Sequence, residues 1–480
     1  MPRTDLLTEL RAAVGAAHVL TAADGDDLTA YEQDWRRRHR GRALAVVRPG
    51  SPQEVAAVVR LCAAHGTPIV PQGGNTGLVL GGVPDTSGRQ VVLSLQRLQR
   101  VRALDPDNLT LTVDAGCVLQ VAQQAAEAAG LWLPLSLASE GSCTIGGNLA
   151  TNAGGTQVLR FGNARDLCLG LEVVTADGQL WDGLSGLRKD NTGYDLRHLF
   201  IGSEGTLGII TGAVLKLVPQ PAARLTAWAA VSGLTDALAL LALAQRRLGP
   251  TLTGFEAMNA FALSLVDRHF PDLRVPLWRE HPWCVLLEVS DHDSEVHARG
   301  ALEATLAAAI EQGAARDAIV AESLAQARTL WHIRESIPLA QAQEGLNLKH
   351  DISLPVSRIP AFCAEAEAAL HGTVPGARVV NFGHLGDGNL HFNVQAPPDT
   401  DAATFLQEHE AHVNQLVYRL VQRHGGSISA EHGIGGLKAA LLPAFKDPTA
   451  LAIMRAIKRA LDPAGLLNPG RVLLPDNAAP

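Results

Sequence analysis

Two kinds of hydrophobic spacing divide the chain. In the first half, short apolar runs alternate with helical stripes. Residues 43–47 (ALAVV) read as a strand, and Ser51-Pro52-Gln53-Glu54 then has the form of a capping box with proline at the first helical position. Val55, Val58, Val59 and Cys62 recur at helical spacing until Gly66 stops the run. Residues 67–70 and 109–113 read as further strands, and 118–129 as a helix ending at Gly130. Val218-Pro219-Gln220-Pro221 punctuates the chain as a domain boundary. Beyond it, strand-like runs at 225–231, 283–289, 348–354, 379–382 and 390–394 alternate with Ala/Leu-rich helices such as 296–312 and 360–370. Their irregular spacing suits an antiparallel sheet covered by helices rather than a parallel strand–helix–strand stack. From residue 425 onward come a glycine turn, a helix over 448–461 and a Pro/Gly tail. The expectation is an α+β protein with domains at 1–218, 219–424 and 425–480, without internal repeats or low-complexity tracts.

Composition narrows the functions open to such a chain. Its 480 residues allow about three domains. With 47% apolar and 18% charged residues it can bury large cores, which excludes bulk disorder. Aromatics make up only 4%, against stacking platforms for single strands, and the net charge of −8 opposes binding to a phosphate backbone. No nucleic-acid partner is expected, and any bound anion must be recruited locally. Cys62, Cys117, Cys143, Cys168, Cys284 and Cys363 form no Cys-x-x-Cys pair and lie in apolar surroundings, so they read as free thiols of a reducing compartment. No signal peptide and no window of about 20 uncharged apolar residues is present. The expected location is the cytoplasm, without a transmembrane segment.

Four motifs can carry chemistry. Three glycine-rich segments, at 71–82, 140–155 and 202–208, fit neither G-x-G-x-x-G nor G-x-x-x-x-G-K-[ST]. Each alone reads more readily as a turn-rich surface loop. Three in one domain, interleaved with Asn75, Asn148 and Asn152, favour backbone-amide anion nests instead. The second motif is His384-Leu385-Gly386-Asp387-Gly388-Asn389-Leu390-His391, where Asp-Gly between strand-like runs signals a hairpin. A two-residue loop at Asp387-Gly388 would set His384 directly opposite His391, with Cβ atoms about 4.5–5.5 Å apart, and Asn393 on the same face. That is chelating distance, although two hydrogen-bonded histidines on a sheet are the plain alternative. Glu431-His432-Gly433 offers a third ligand and a base, or else a solvated turn; two imidazoles and a carboxylate leave coordination positions open. Finally, Arg334 falls in a helical run and Lys349 in a strand-like one, in a chain with six lysines. Taken alone, each reads more readily as a surface salt-bridge partner.

Together these motifs resemble one known group. The glycine segments are similar to the FAD-binding domain of the vanillyl-alcohol oxidase superfamily. The second half resembles the C-terminal domain of FAD-linked 2-hydroxyacid dehydrogenases: D-lactate dehydrogenases, the glycolate oxidase flavoprotein subunit and D-2-hydroxyglutarate dehydrogenases. The likeness runs over residues 43–473, and Pro71-Gln72-Gly73-Gly74-Asn75-Thr76-Gly77 resembles the D-2-hydroxyglutarate branch. It implies a vanillyl-alcohol-oxidase-type FAD domain beside a substrate (cap) domain. It also implies that Gln72, Gly73, Gly74, Asn75, Thr76, Gly77, Gly141, Ser142, Gly146, Gly147, Asn148, Asn152, Gly205, Ile209, Ile210 and Asn468 hold FAD. His384, His391 and Glu431 would bind a divalent metal, zinc by similarity, His432 would be the base, and Arg334, Lys349 and Asn393 would contact substrate carboxylate. Pro338 stands where a related pattern has a hydroxyl residue, and no histidine lies in the first glycine loop, so FAD is expected to be held non-covalently.

The expected reaction is oxidation of a small D-2-hydroxy acid, D-2-hydroxyglutarate or D-lactate, to the 2-oxo acid. His432 accepts the hydroxyl proton and flavin the hydride. An electron acceptor (quinone, electron-transfer flavoprotein or oxygen) and a homodimer complete the expected partners. Two rival readings stay open: a subunit active only within a larger oxidase, and a metallohydrolase whose glycine loops are structural.

Overall fold

The computed structural model describes residues 5–475. Residues 1–4 and 476–480, the ends of the expected first and last domains, lie outside the described residues. The chain forms two compact units. One comprises the residues up to 153, 163–220 and 431 onward; the other comprises 154–162 and 221–430. The segment that follows residue 430 therefore rejoins the first unit, and a short piece of the first half, 154–162, belongs to the second.

The first unit has a four-stranded sheet in the order Val19–Leu20, Ala43–Val47, Gln90–Ser94, Ile69–Gln72. The first pair is antiparallel and the other two are parallel, with helix Pro52–His65 making the crossover. Both central strands are apolar runs buried on both faces, as a covered parallel sheet requires. Ser51 accepts the Glu54 N–H at 3.2 Å. The Glu54 carboxylate takes the N–H of Gly50, one residue before the position a capping box assigns. Gly66 closes the helix at φ 63°. A second, five-stranded sheet is wholly antiparallel and contains Thr110–Asp114 and Ile209–Lys216. The end of the chain also ties into this unit: Ile69 N–H donates to Leu466 O, and Asn468 N–H to Ile69 O, both at 2.8 Å.

The second unit is built on an eight-stranded sheet whose pairings are all antiparallel. At its centre Leu252–Asn259 lies between Trp283–Asp291 and Arg378–Gly383. Leu252–Asn259 was not foreseen, because Gly254 and Glu256 dilute its apolar run. The run expected at 348–354 splits into Asn347–Leu348 and Asp351–Ser353, which leaves Lys349 in the break rather than within a strand. One face of the sheet presents Trp228, Met258, Cys284, Leu286, Val380 and Phe382 to helices Ala260–His269 and Leu324–Glu344.

Glu344 locks the end of the longer helix. Its carboxylate takes bonds from Arg378 at 2.7 Å, from Arg268 at 2.9 Å and from His269 at 2.9 Å. Burial works against the charge, but His269, Arg378 and Arg268 outweigh it and hold this carboxyl at about 2, below its ordinary 4.5. Because the folded value lies below the unfolded one, the stabilisation is complete above about 4.5 and fades as pH falls toward 2. Glu344→Gln should therefore lower the melting temperature near neutral pH. Melting curves of parent and variant should converge across that acid window, and a pH-independent gap would contradict this assignment.

Candidate active site

A cleft of about 1020 Å³, open mouth included, lies within the first unit. Three of its walls are the glycine segments singled out from sequence. Gln72, Gly73, Gly74, Asn75, Thr76, Gly77, Gly146, Gly147, Asn148, Gly205, Ile209 and Ile210 all line it, as does His432. Two of the segments touch backbone to backbone. A Cβ at Gly73 would stand 2.3 Å from Thr144 Oγ1, and one at Gly74 would stand 2.1 Å from the Ser142 carbonyl oxygen, so no larger residue fits.

The N–H groups of residues 73–77 donate to no acceptor among the described residues. Asn75 has φ 53°, a left-handed conformation of the kind used in backbone-amide anion nests. Gln72 Oε1 is buried without a hydrogen-bond partner. Val79, Leu95, Phe200, Ile209 and Ile210 add apolar lining to the same cleft. Unsatisfied backbone amides and apolar side chains lining one cleft fit a diphosphate joined to a flat ring system, which is the chemistry of FAD.

Several expected cofactor residues frame the cleft instead of lining it. Asn468 donates both amide hydrogens, to Gly81 O and Glu204 O, each at 2.8 Å. Asn152 caps helix Ile145–Thr151 at φ 53° and accepts the Arg165 N–H at 3.0 Å. Gly141 and Ser142 lie behind the first loop, with the Ser142 hydroxyl on Ser139 O. The Gln72 and Asn75 side chains are themselves braces. Gln72 Nε2 donates to Tyr31 O and Gly82 O, and Asn75 Nδ2 to Ala30 O and Gln33 O.

Glu204 was missed from sequence. Its buried carboxylate accepts the N–H of Ile434 at 2.7 Å and of Gly435 at 2.8 Å. Burial pushes the Glu204 carboxyl up from its ordinary value, and the two backbone bonds and Lys438 oppose that rise. The turn is glycine-dependent: a Cβ at Gly433 would come within 2.7 Å of Glu204 Oε1, and one at Gly435 within 2.0 Å of Val79 O. Glu204 thereby holds the segment that presents His432 to the cleft, with Glu431 Oε1 4.0 Å from His432 Nε2.

In the second unit the hairpin differs from its expected register. His391 pairs with Phe382, not with His384, and strand Arg378–Gly383 ends before the histidine. Residues 384–388 form a wider turn in which the His384 carbonyl receives the N–H groups of Asp387, Gly388 and Asn389. The Asp387 carboxylate also takes the Asn389 N–H, which closes the turn by a route that a two-residue loop lacks. The two rings still meet, with centroids 5.7 Å apart and nearly perpendicular.

A second missed acid organises this region. Glu256 is fully buried on the central strand. Its Oε1 lies 2.6 Å from His384 Nδ1, and its Oε2 accepts from Arg334 Nε at 2.8 Å. Burial would raise this carboxyl, yet His384 and Arg334 hold it at about 2. Glu256 thus engages the Nδ1 side of the His384 ring. Arg334 Nη2 is buried with no hydrogen-bond partner.

Asp351 lies directly across the ladder from His391, with Oδ1 3.9 Å from His391 Nδ1. It accepts from Asn389 Nδ2 at 3.0 Å and from the Ala430 N–H at 3.2 Å. Asn393 shares the face of His391, but its amide is engaged: Oδ1 accepts the His350 N–H at 3.1 Å and Nδ2 donates to Gln341 at 2.9 Å. Pro338 lies inside helix Leu324–Glu344 and, lacking an N–H, gives the Arg334 carbonyl no helical donor. Neither Glu256 nor Asp351 carried a motif. Each is recognisable only once the strands place it beside a histidine.

Among the described residues no helix is long and apolar enough to cross a membrane. Two family descriptions match the chain: "FAD binding domain" over residues 43–183 and "FAD linked oxidases, C-terminal domain" over residues 220–472. The D-2-hydroxyglutarate dehydrogenase of Xanthomonas citri pv. viticola is 41% identical over 468 residues, 97% of this chain and 96% of that protein. The mitochondrial D-2-hydroxyglutarate dehydrogenase of Arabidopsis thaliana is 38% identical over 450 residues, 94% of this chain and 78% of that protein. Among solved structures, p-cresol methylhydroxylase with substrate bound superposes with a TM-score of 0.76 at 16% identity, covering 99% of this chain and 97% of that one. At that identity the likeness is one of fold, the α+β vanillyl-alcohol oxidase arrangement. The metallohydrolase reading is thereby set aside. An amide-lined cleft suited to FAD, these matched regions and these relatives agree: the chain belongs to the FAD-linked oxidase family, in its D-2-hydroxyacid dehydrogenase branch, and is an FAD-dependent oxidoreductase.

Proposed function

We propose that this enzyme oxidises D-2-hydroxyglutarate to the 2-oxo acid, with FAD held non-covalently and with a divalent metal, zinc, bound by His384, His391 and Glu431. The observation that carries the reading is the Glu256 carboxylate shared by His384 and Arg334. One buried acid thus orients an imidazole suited to a metal and a cation suited to a carboxylate. Full-length relatives named for D-2-hydroxyglutarate support the same substrate.

The amides of residues 73–77 would hold the FAD diphosphate, and Ile209 and Ile210 would flank the ring. FAD, when bound, supplies the hydride acceptor that side chains lack, and the metal, when bound, makes a coordinated hydroxyl more acidic. His432 takes the hydroxyl proton, a task suited to an imidazole near neutral pH. Arg334 offers a planar fork to a carboxylate and Lys349 a point charge. Asn393 positions this region through His350 and Gln341 rather than acting on substrate with its whole amide. Two cations match a dicarboxylate better than the single carboxylate of D-lactate. Six buried free thiols suit a reducing compartment, the cytoplasm.

Anaerobic mixing with a panel of D- and L-2-hydroxy acids tests the reading in one experiment. D-2-hydroxyglutarate should bleach the yellow flavin, D-lactate should do so more slowly, and the L-isomers should leave it oxidised. If the flavin stays oxidised with every acid while FAD and metal are bound, the protein acts only as part of a larger oxidase.

A further inference from the structure

Glu256 contacts both halves of the chemistry assigned to the second unit. It is fully buried. Each oxygen has its own donor: Oε1 faces His384 Nδ1 at 2.6 Å, and Oε2 faces Arg334 Nε at 2.8 Å. The arrangement is also stiff. Glu256 lies on strand Leu252–Asn259, paired to Leu286 on the next strand, while Arg334 comes from helix Leu324–Glu344 and packs over the Phe382 ring at 5.0 Å. With Nε bound, the guanidinium cannot rotate freely, and its unpartnered Nη2 keeps one direction.

We propose that Glu256 is a positioning residue that fixes His384 as the Nδ1–H tautomer, leaving Nε2 for the metal, and at the same time aims Arg334 at the substrate carboxylate. On the metal reading above, a change at this one acid perturbs zinc affinity and substrate affinity together, although it touches neither ligand. An amide cannot substitute. Glutamine has a single acceptor oxygen, whereas the site presents two donors. One partner is then left facing an N–H group: either His384 is driven to the other tautomer, or Arg334 loses its tether.

The test is zinc affinity, measured by competition with a chromophoric chelator on the FAD-loaded full-length protein. Glu256→Gln should weaken zinc binding by about 10–100-fold and raise KM for D-2-hydroxyglutarate, with FAD content unchanged. Glu256→Asp keeps both acceptor oxygens on a shorter stem and should fall between parent and Glu256→Gln. If the glutamine variant does not fold, the aspartate variant carries the comparison alone, with a measurable loss of zinc affinity expected. Parent-like zinc affinity and KM in a folded variant overturn the inference while leaving the metal reading intact. A parent protein that takes up no zinc overturns the metal reading and the inference with it.

Discussion

Replacing His432 with alanine should leave FAD bound and slow its reduction by about 10²–10⁴-fold, the usual contribution of a positioned general base. The imidazole lines the FAD cleft, whereas the turn that carries it is held through backbone groups: Glu204 grips the N–H of Ile434 and of Gly435. The variant should therefore keep its local backbone and lose only the proton acceptor. Stopped-flow bleaching at saturating D-2-hydroxyglutarate, with FAD content checked by visible absorbance, separates the two effects. The residual rate should climb with pH as hydroxide replaces the missing base. An unchanged rate would remove His432 from the proton transfer.

Metal removal should have a comparably large effect. A hydroxyl that is only weakly acidic in water must lose its proton as hydride leaves carbon, and a metal can supply several kcal/mol toward this. Chelator treatment should lower turnover on the order of a thousandfold, and zinc or manganese should restore it. His384→Ala should resist rescue while retaining its flavin colour, because the FAD cleft is built wholly from the other unit. Full activity in a sample shown by elemental analysis to be metal-free would end the metal reading.

What could be read from sequence follows the range of the interactions involved. Helix Pro52–His65 was legible because its cap, apolar stripe and terminal glycine are local signals. The glycine segments announced a nest because positive φ and close backbone approach demand that residue type in whatever fold contains them. The His384–His391 hairpin was legible in kind but not in register: Asp387 and the His384 carbonyl close a wider turn than the dipeptide alone suggests. Glu256 and Glu204 were invisible. An acid in a strand, or in a glycine-rich turn, carries no mark of a partner more than a hundred residues away. The cofactor amides of Gln72, Asn75 and Asn468 drew attention as polar groups, yet their donors brace carbonyls rather than facing the cleft.

The edge of strand Ile69–Gln72 is completed by Leu466 and Asn468, close to the last described residue. During synthesis on the ribosome, the first unit therefore lacks this edge partner, and the Asn468 brace on Gly81 and Glu204, until residue 468 has emerged. The inserted unit, whose final residue is 430, has all of its own strands well before then. The usual order, in which the amino-terminal domain matures first, should therefore be reversed here, with FAD capture following completion of the inserted unit.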